Sequence, residues 1–421
     1  MLDITHSGDI AILTITNPPV NALSHAVRLA LFETFDTLSH EKKAKAVVLT
    51  GAGRFFVAGA DITEFGKPPK APILPDLIAL IEESPLPAVA AIHGAALGGG
   101  LELALACSHR IAVEKTKFAL PETQLGLIPG AGGTQRVPRL CGIENAMKMV
   151  TSTKPLSAKE ALDIGLIDEC VNEERLIERA TEIANSLIGE ARRRVGQLPK
   201  PAVDQEAIDR YRKTFIAERP GQFALSQAVE SVIASTELDL DEGAKQERAR
   251  FMTCMEGPER AGLIHAFFAD RRAAKVPELK TGEARDVSAA GVIGGGTMGA
   301  GIAASMLLSG LSVTMIERDE EAATAGFERV KGILDGSVKR GKLAETERDA
   351  LLSGKFKVGS DYALLGEADL TVEAVFEDMD VKKTVFAELD RAMKPGAILA
   401  SNTSYLDINE IAGATARPEA V

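Results

Sequence analysis

Two spacings of apolar residues alternate along the first 190 positions. Ile10 to Thr16 and Ala46 to Thr50 are short β-rich runs, whereas Val27 to Leu38 between them repeats its apolar positions with a helical period. Pro87 to His93 and Arg110 to Val113 continue the strand pattern, and the succession predicts an α/β fold. From 191 to 275 no strand reads clearly, and Ala, Glu, Arg and Lys dominate. Ile208 to Ala217, Phe223 to Ala234 and Glu259 to Ala274 there have the spacing of amphipathic helices. A polar stretch, Pro277 to Asp286, then leads into a second strand–helix–strand pattern running to Val421. The expected division is a first domain over 1–190, a helical linker region over 191–284, and a second α/β domain over 285–421.

Two segments are apolar enough to suggest membrane spans. Pro85 to Cys107 carries only His93 and Glu102 as ionisable groups, and Val287 to Ile316 carries no charge. Each is broken by a glycine cluster, Gly98-Gly99-Gly100 and Gly294-Gly295-Gly296, and each such residue weakens a helix by about 1 kcal/mol. A buried strand, a tight turn and a helix are expected in both places, and no membrane span.

Length and charge narrow the classes. The 421 residues are enough for about three domains, and 45% hydrophobic with 26% charged residues is a globular composition. A net charge of −12 argues against nucleic acid as a partner, because a phosphate backbone needs a basic footprint. Cys107, Cys141, Cys170 and Cys254 lie far apart without a CxxC pair, so a reducing compartment is expected. The six histidines show no ligand spacing, and no metal site is expected. The N-terminus has neither a basic nor an apolar leader region, so no signal peptide is expected.

Gly294-Gly295-Gly296-Thr297-Met298-Gly299 fits G-x-G-x-x-G, a pattern that 38 glycines in 421 residues would produce by chance roughly 0.3 times. Its setting sharpens it: Ser288 to Ile293 reads as a strand before the turn, Ala300 to Ser309 as a helix after it, and Ser312 to Ile316 as a second strand. Gly294 would make the turn, Gly296 would let a pyrophosphate approach, and Gly299 would allow close helix–strand packing. Glu317, closing the second strand, can accept from ribose hydroxyls and would repel a 2′-phosphate, which favours NAD over NADP. A plain packing turn is the competing reading.

Two further glycine turns follow strands, Phe55 to Ile62 and His93 to Glu102. Small residues there leave backbone N–H groups reachable, and two amides converging on one carbonyl oxygen would make an oxyanion hole. Glu102 sits within the apolar run Leu101 to Ala106, and a carboxylate is costly to bury there unless used or paired. Glu122, in Leu120-Pro121-Glu122-Thr123, is a second candidate. Two carboxylates in one apolar pocket can divide the work of base and acid. Each alone could equally be a capping or salt-bridged residue. His93 and His109 read as structural, Asp61 as a turn cap, and Arg192 to Arg194 as a solvated helix face.

These residues carry resemblances. AGADI at 58–62, HGAALGGGLELALAC at 93–107 and FALPETQLGLIPGAGGTQRVPRL at 118–140 resemble the crotonase (enoyl-CoA hydratase/isomerase) family. GVIGGGTMGAGIA at 291–303, VEAVFEDMDVKK at 372–383 and SNTS at 401–404 resemble the NAD-binding part of 3-hydroxyacyl-CoA dehydrogenases. The two in this order, with GPERAGLIHAFFADR at 257–271 between them, are similar to multifunctional fatty-acid β-oxidation enzymes.

The resemblance implies a crotonase-like ββα spiral domain, a helical region and a Rossmann-type domain that is incomplete at its C-terminus. It implies hydration of trans-2-enoyl-CoA, with 3-enoyl isomerisation as a side activity. Other crotonase reactions on coenzyme A thioesters, and a non-catalytic nucleotide-binding or assembly module, are the alternatives. The amides of Ala60 and Gly99 match the oxyanion hole, Glu102 and Glu122 the catalytic glutamates, and Gly130 an amide that helps hold water. Glu317 matches the ribose-binding acid, and Glu377, Lys382 and Ser404 match positions that contact NAD and substrate. Thr63 stands where lysine is common, removing one coenzyme A phosphate contact. The dehydrogenase family's histidine base would fall just beyond Val421, so weak NAD binding and no 3-hydroxyacyl-CoA oxidation are expected of these residues. The implied ligands are acyl-CoA and NAD, without metal. The expected compartment is the cytoplasm, with the peroxisome as alternative, while thiolase association and self-association stay open.

Overall fold

The strand-patterned runs of the first part align into a six-stranded sheet. The computed structural model describes residues 1–41, 43–152, 154–273, 275–276 and 284–421. Its strands up to residue 171 are β1 (Leu2–Ser7), β2 (Ile10–Ile15), β3 (Ala46–Gly51), β4 (Ala88–Ile92), β5 (Ala95–Leu97), β6 (His109–Val113), β7 (Lys117–Ala119), β8 (Leu156–Ser157) and β9 (Glu169–Val171). The main sheet has the order β1-β2-β3-β4-β6-β9, antiparallel at β1/β2 and parallel elsewhere. Every residue of β3 and β4 is buried, which is why they read as unbroken apolar runs rather than as alternating ones. A smaller sheet, β5-β7-β8, stands apart from the main one.

The chain leaves the main sheet between β4 and β5, through Gly94 at φ +63°, where a Cβ would lie 1.9 Å from the Arg54 carbonyl oxygen. That close approach sets residues 55–57 beside 93–97: Phe56 N–H donates to His93 O at 2.9 Å, Val57 N–H to Ala95 O at 3.2 Å, and Leu97 N–H to Val57 O at 3.1 Å. The two glycine turns, 40 residues apart in sequence, are thereby stitched together.

Ten helices of the first unit are used below as α1 (His25–Glu41), α2 (Leu74–Glu83), α3 (Gly99–Leu105), α4 (Gly133–Thr151), α5 (Ala158–Asp163), α6 (Leu176–Ser186), α7 (Gln205–Arg212), α8 (Phe223–Ala234), α9 (Leu240–Glu256) and α10 (Pro258–Ala273). In α1, Val27, Leu31, Phe35 and Leu38 form the buried stripe. Helix α7 continues as one wider turn over Lys213–Ala217. Residue 274, the expected end of α10, lies outside the described residues, as do 277–283 of the expected polar joint.

The chain divides at Val276 into two compact units, so the described helices between residues 191 and 276 fall within the first. Their apolar faces explain this: Ala224, Ala228, Val229 and Val232 of α8 belong to the same buried cluster as Val137 and Met147 of α4 and the inner face of the main sheet. Arg192 to Arg194 run as irregular chain rather than along a helix face. Arg193 pairs with Asp168, and Arg192 donates to Ile81 O at 3.3 Å.

In the second unit β10 (Ala289–Ile293), β11 (Ser312–Ile316), β12 (Phe356–Gly359), β13 (Leu370–Glu373) and β14 (Ile398–Ser401) form a wholly parallel sheet ordered β12-β11-β10-β13-β14. The strand order reverses beside β10, the place where such sheets open a crevice at their carboxyl ends. Helix α11 (Thr297–Leu308) begins there. Among the described residues no helix is long and apolar enough to cross a membrane. Both suspect segments are strand, glycine turn and helix.

Candidate active site

Helix α3 starts where the stitched turns meet. Gly99 is its first residue, and a Cβ on Gly99 would sit 3.4 Å from the Ala60 nitrogen. Among the described residues neither the Ala60 nor the Gly99 amide donates to any acceptor. Two unused N–H groups therefore lie close together on the wall of a cleft of about 670 Å³.

Glu102 is carried on the first turn of α3 and is 3% exposed. Its Oε1 accepts from the amides of Ala131 and Gly133, each at 2.8 Å, and among the described residues its Oε2 has no protein partner. Burial holds this carboxyl above its usual range, against the pull of those amides and of the Arg136 and Arg248 charges. Glu122 opens the short turn Glu122–Leu125 after β7 and lines the same cleft. Gly98 leaves room for it: a Cβ there would stand 2.6 Å from Glu122 Oε1. The Oε2 of Glu122 is buried without a hydrogen-bond partner. Burial first, then the charge of Glu102, then that of Glu247, push its carboxyl well above the ordinary value. Both candidate carboxyls thus keep one oxygen uncommitted.

The N–H of Gly130 also lacks an acceptor among the described residues, and the Phe251 ring of α9 closes over its α-carbon. Phe65, Leu127, Met252 and Met255 make the cleft apolar, and Lys67, Lys70 and Arg260 add positive charge to its lining. Asp61 caps the turn Ile62–Glu64 by accepting from Thr63 N–H, and Thr63 Oγ1 is committed to the same carboxylate. His93 rests on Gly53 O and His109 beside Asp168, both away from the carboxyls.

One residue here carries no mark in the local sequence. Glu247 of α9 is 1% exposed and lies against the Glu102 loop. Its neighbours Gln246 and Arg248 make the local sequence look like a solvated helix face, and its partners are more than 100 residues away. The only local hint is the glycine-rich helix start at 130–133, whose free amides call for an acceptor.

In the second unit the glycine loop is shaped by close contacts. Gly294 has φ +93°, and a Cβ on Gly299 would fall 1.7 Å from Gly294 O, whereas one on Gly296 would meet nothing within 4 Å. The amides of Gly296, Thr297 and Met298 have no acceptor among the described residues, so the start of α11 is open to an anion. Glu317 Oε1 accepts from Gly295 N–H at 2.6 Å, placing the acid beside the loop. Lys382 is wholly buried; its ammonium donates to Glu373 at 2.7 and 2.9 Å and lies 3.1 Å from Glu377. Glu377 in turn accepts from Ser404 N–H and Thr403 Oγ1, so Lys382, Glu377 and Ser404 form one network at the carboxyl end of the sheet. Those hydrogen bonds hold the Glu377 carboxyl down to about 2.

Comparison with known proteins gives two matches: residues 5–256 with "Enoyl-CoA hydratase/isomerase" and residues 289–421 with "3-hydroxyacyl-CoA dehydrogenase, NAD binding domain". The chain is similar to the peroxisomal bifunctional enzyme of Danio rerio, at 39% identity over 98% of this chain and 58% of that protein. The peroxisomal bifunctional enzyme of Cavia porcellus is 39% identical over all of this chain and 59% of its own length. The peroxisomal fatty acid beta-oxidation multifunctional protein MFP2 of Arabidopsis thaliana is 36% identical over 96% of this chain and 58% of its own. The chain spans a little under three fifths of the length of these relatives.

Proposed function

Because the chain belongs to the enoyl-CoA hydratase/isomerase family, we propose that its first unit adds water across the double bond of trans-2-enoyl-CoA thioesters. What carries the reading is the pairing of buried Glu102 and half-buried Glu122, each with an uncommitted carboxyl oxygen, with two unused amides on the wall of one largely apolar cleft.

The thioester oxygen accepts from Ala60 and Gly99, so the negative charge that develops there is met by fixed donors worth about 3 kcal/mol each. Glu102 and Glu122 hold a water between their free oxygens, assisted by the Gly130 amide. Glu102 takes a proton as the water oxygen bonds to C3, and the pair of C2=C3 electrons moves toward the thioester. Glu122, kept protonated by burial and by its charged neighbours, delivers its proton to C2. One proton then passes from Glu102 back to Glu122, and the site is restored. Proton delivery at C2 is also a step of 3-enoyl to 2-enoyl isomerisation, which the same pair would support.

The second unit is proposed to hold NAD, with the pyrophosphate at the start of α11 and the ribose at Glu317. The open face of Gly296 and the free amides of 296–298 fit that group. Bound NAD would supply a hydride acceptor. Residues 289–421 contain no histidine, and the role of base for a hydroxyl proton is assigned to none of them. The four free thiols suit a reducing compartment, cytoplasm or peroxisome.

Loss of the conjugated enoyl absorbance of crotonyl-CoA tests the hydratase reading. The parent should turn over, and Glu102→Gln and Glu122→Gln should each lose most of the activity. Unchanged turnover in both variants would overturn it.

A further inference from the structure

Four consecutive amides leading into helix α4, those of residues 131–134, are shared alternately between two carboxylates. Ala131 and Gly133 donate to Glu102 on one side. Gly132 and Thr134 donate to Glu247 on the other, at 2.6 and 2.9 Å, and the Thr134 hydroxyl donates to the same carboxylate. Glu102 comes from α3 and Glu247 from α9, so the helix start is gripped from both faces. We propose that Glu247 is a positioning residue for hydration: by holding Gly132 and Thr134 it fixes the intervening peptide planes that aim the Ala131 and Gly133 amides at Glu102. This rests on the hydratase reading above.

The loop needs such a clamp because Gly132, at φ +97°, is a pivot with no side chain of its own. Released on one face, the planes on either side of it could turn, and Glu102 would lose its two donors together. The clamp is also supported from behind. Thr134 Oγ1 lies 2.7 Å from Ser231 Oγ and accepts from Gln135 Nε2 at 3.0 Å, and Gln135 Nε2 also donates to Ser231 O at 2.9 Å. With its oxygen so occupied, the Thr134 hydroxyl proton is directed to Glu247. A purely structural cap would be better served by a neutral acceptor, since a third carboxylate beside two others is costly to bury.

The charged groups that act on Glu247 are few. Glu102 faces it from α3, Glu122 from the turn after β7, and Arg248 is its own neighbour on α9. Helix α4 offers the Thr134 hydroxyl, two amides and Arg136, whose guanidinium is paired with Glu82; α8 offers the neutral Ser231 hydroxyl. Burial and the Glu102 charge raise the Glu247 carboxyl to about 8. Where Glu247 is ionised, its charge in turn opposes loss of the proton from Glu122.

The test is steady-state hydration of crotonyl-CoA by the whole 421-residue chain across pH, for the parent, Glu247→Gln and Glu247→Asp, with Glu102→Gln as reference. For Glu247→Gln, kcat is expected to fall about 10- to 100-fold, as for a misplaced catalytic group. KM should change little, since Ala60, Gly99 and the apolar walls are untouched, and the basic limb of kcat/KM should move to lower pH. Glu247→Asp keeps the charge but shortens the reach, so kcat should fall with the pH limbs in place; it also serves if Glu247→Gln does not melt cooperatively. Parent-like kcat and pH profile in these variants, with Glu102→Gln inactive, would overturn the positioning role and leave the hydratase reading standing. A fall in kcat with a matching rise in KM and unmoved pH limbs in Glu247→Gln would likewise overturn it. An active Glu102→Gln would instead overturn the reading on which the role depends.

Discussion

Replacing Glu122 by glutamine separates chemistry from stability, because the two should move in opposite directions. The side chain keeps its shape, and the Gly98 α-carbon still leaves room for it, but the proton can no longer be given up. One acid–base group contributes about 10²–10⁴ in rate, or about 2.7–5.4 kcal/mol of barrier at 1.36 kcal/mol per decade. The loss should appear in kcat, with the oxyanion amides still binding the thioester. Stability should not fall. Folding places the Glu122 carboxyl in a buried site facing Glu102 and Glu247, which holds its proton far above the ordinary carboxylate range. The folded parent therefore binds more protons than the unfolded chain as pH rises from that range, and each extra proton costs up to about 1.4 kcal/mol per pH unit. Glutamine has no such proton to hold. The melting temperature of Glu122→Gln should equal or exceed that of the parent, and the gap should widen from pH 5 to pH 8. Thermal melts across pH beside crotonyl-CoA kinetics measure both. Activity within tenfold of the parent refutes the proton-delivery role; a gap that narrows with rising pH refutes the burial argument.

Gly99→Ala would put a Cβ 2.8 Å from Leu74 Cδ2 and 3.4 Å from the Ala60 nitrogen, crowding both amides; kcat should drop on the order of 100-fold, the scale of one lost donor, and an unchanged kcat would rule these amides out. Since Glu102, Glu122 and Glu247 are all raised, and Glu247 to about 8, the stability they contribute is greatest below the ordinary carboxylate range and is lost as pH climbs toward 8. Chemical denaturation of the first unit from pH 5 to 8.5 should show that decline, and a rising curve would contradict it. In the second unit, Gly299→Ala should destabilise by about 3 kcal/mol, because its Cβ would fall 1.7 Å from Gly294 O. Gly296→Ala should melt like the parent and weaken NAD in a direct titration, and equal NAD affinity would remove the pyrophosphate from that loop.

What could be read from the chain was what short-range pattern encodes. The expected strands and the helix from Phe223 to Ala234 lie within a residue or two of their structural ends, because buried parallel strands and amphipathic helices each leave a periodic trace. Glu102 stood out because a carboxylate in an apolar run contradicts its neighbours. The first strand, Leu2–Ser7, left little trace: it is an edge strand with five of its six residues exposed, and only Leu2 and Ile4 are apolar, too short an alternation to mark it. Helix α9 was not expected either. Only Gly243, Glu247 and Cys254 of its 17 residues are buried, too few to make a stripe. Lys382 likewise reads as a surface lysine in VEAVFEDMDVKK, and only the sheet's carboxyl edge brings Glu373 and Glu377 around it.

The same helix shows why the region after residue 190 cannot be set aside from the chemistry. An acid–base pair of glutamates works only if their environment separates the two, and that takes a dry pocket and a nearby negative charge. The strands and glycine turns of the first 190 residues supply the amides and both carboxyls, but leave the cleft open beside Gly130. From α9 come the Phe251 ring that closes over that glycine, Met252 and Met255 in the apolar wall, and the carboxylate that faces the other two. On the proposed reading, the position and protonation of the glutamate pair thus depend on a helix more than 100 residues downstream of both.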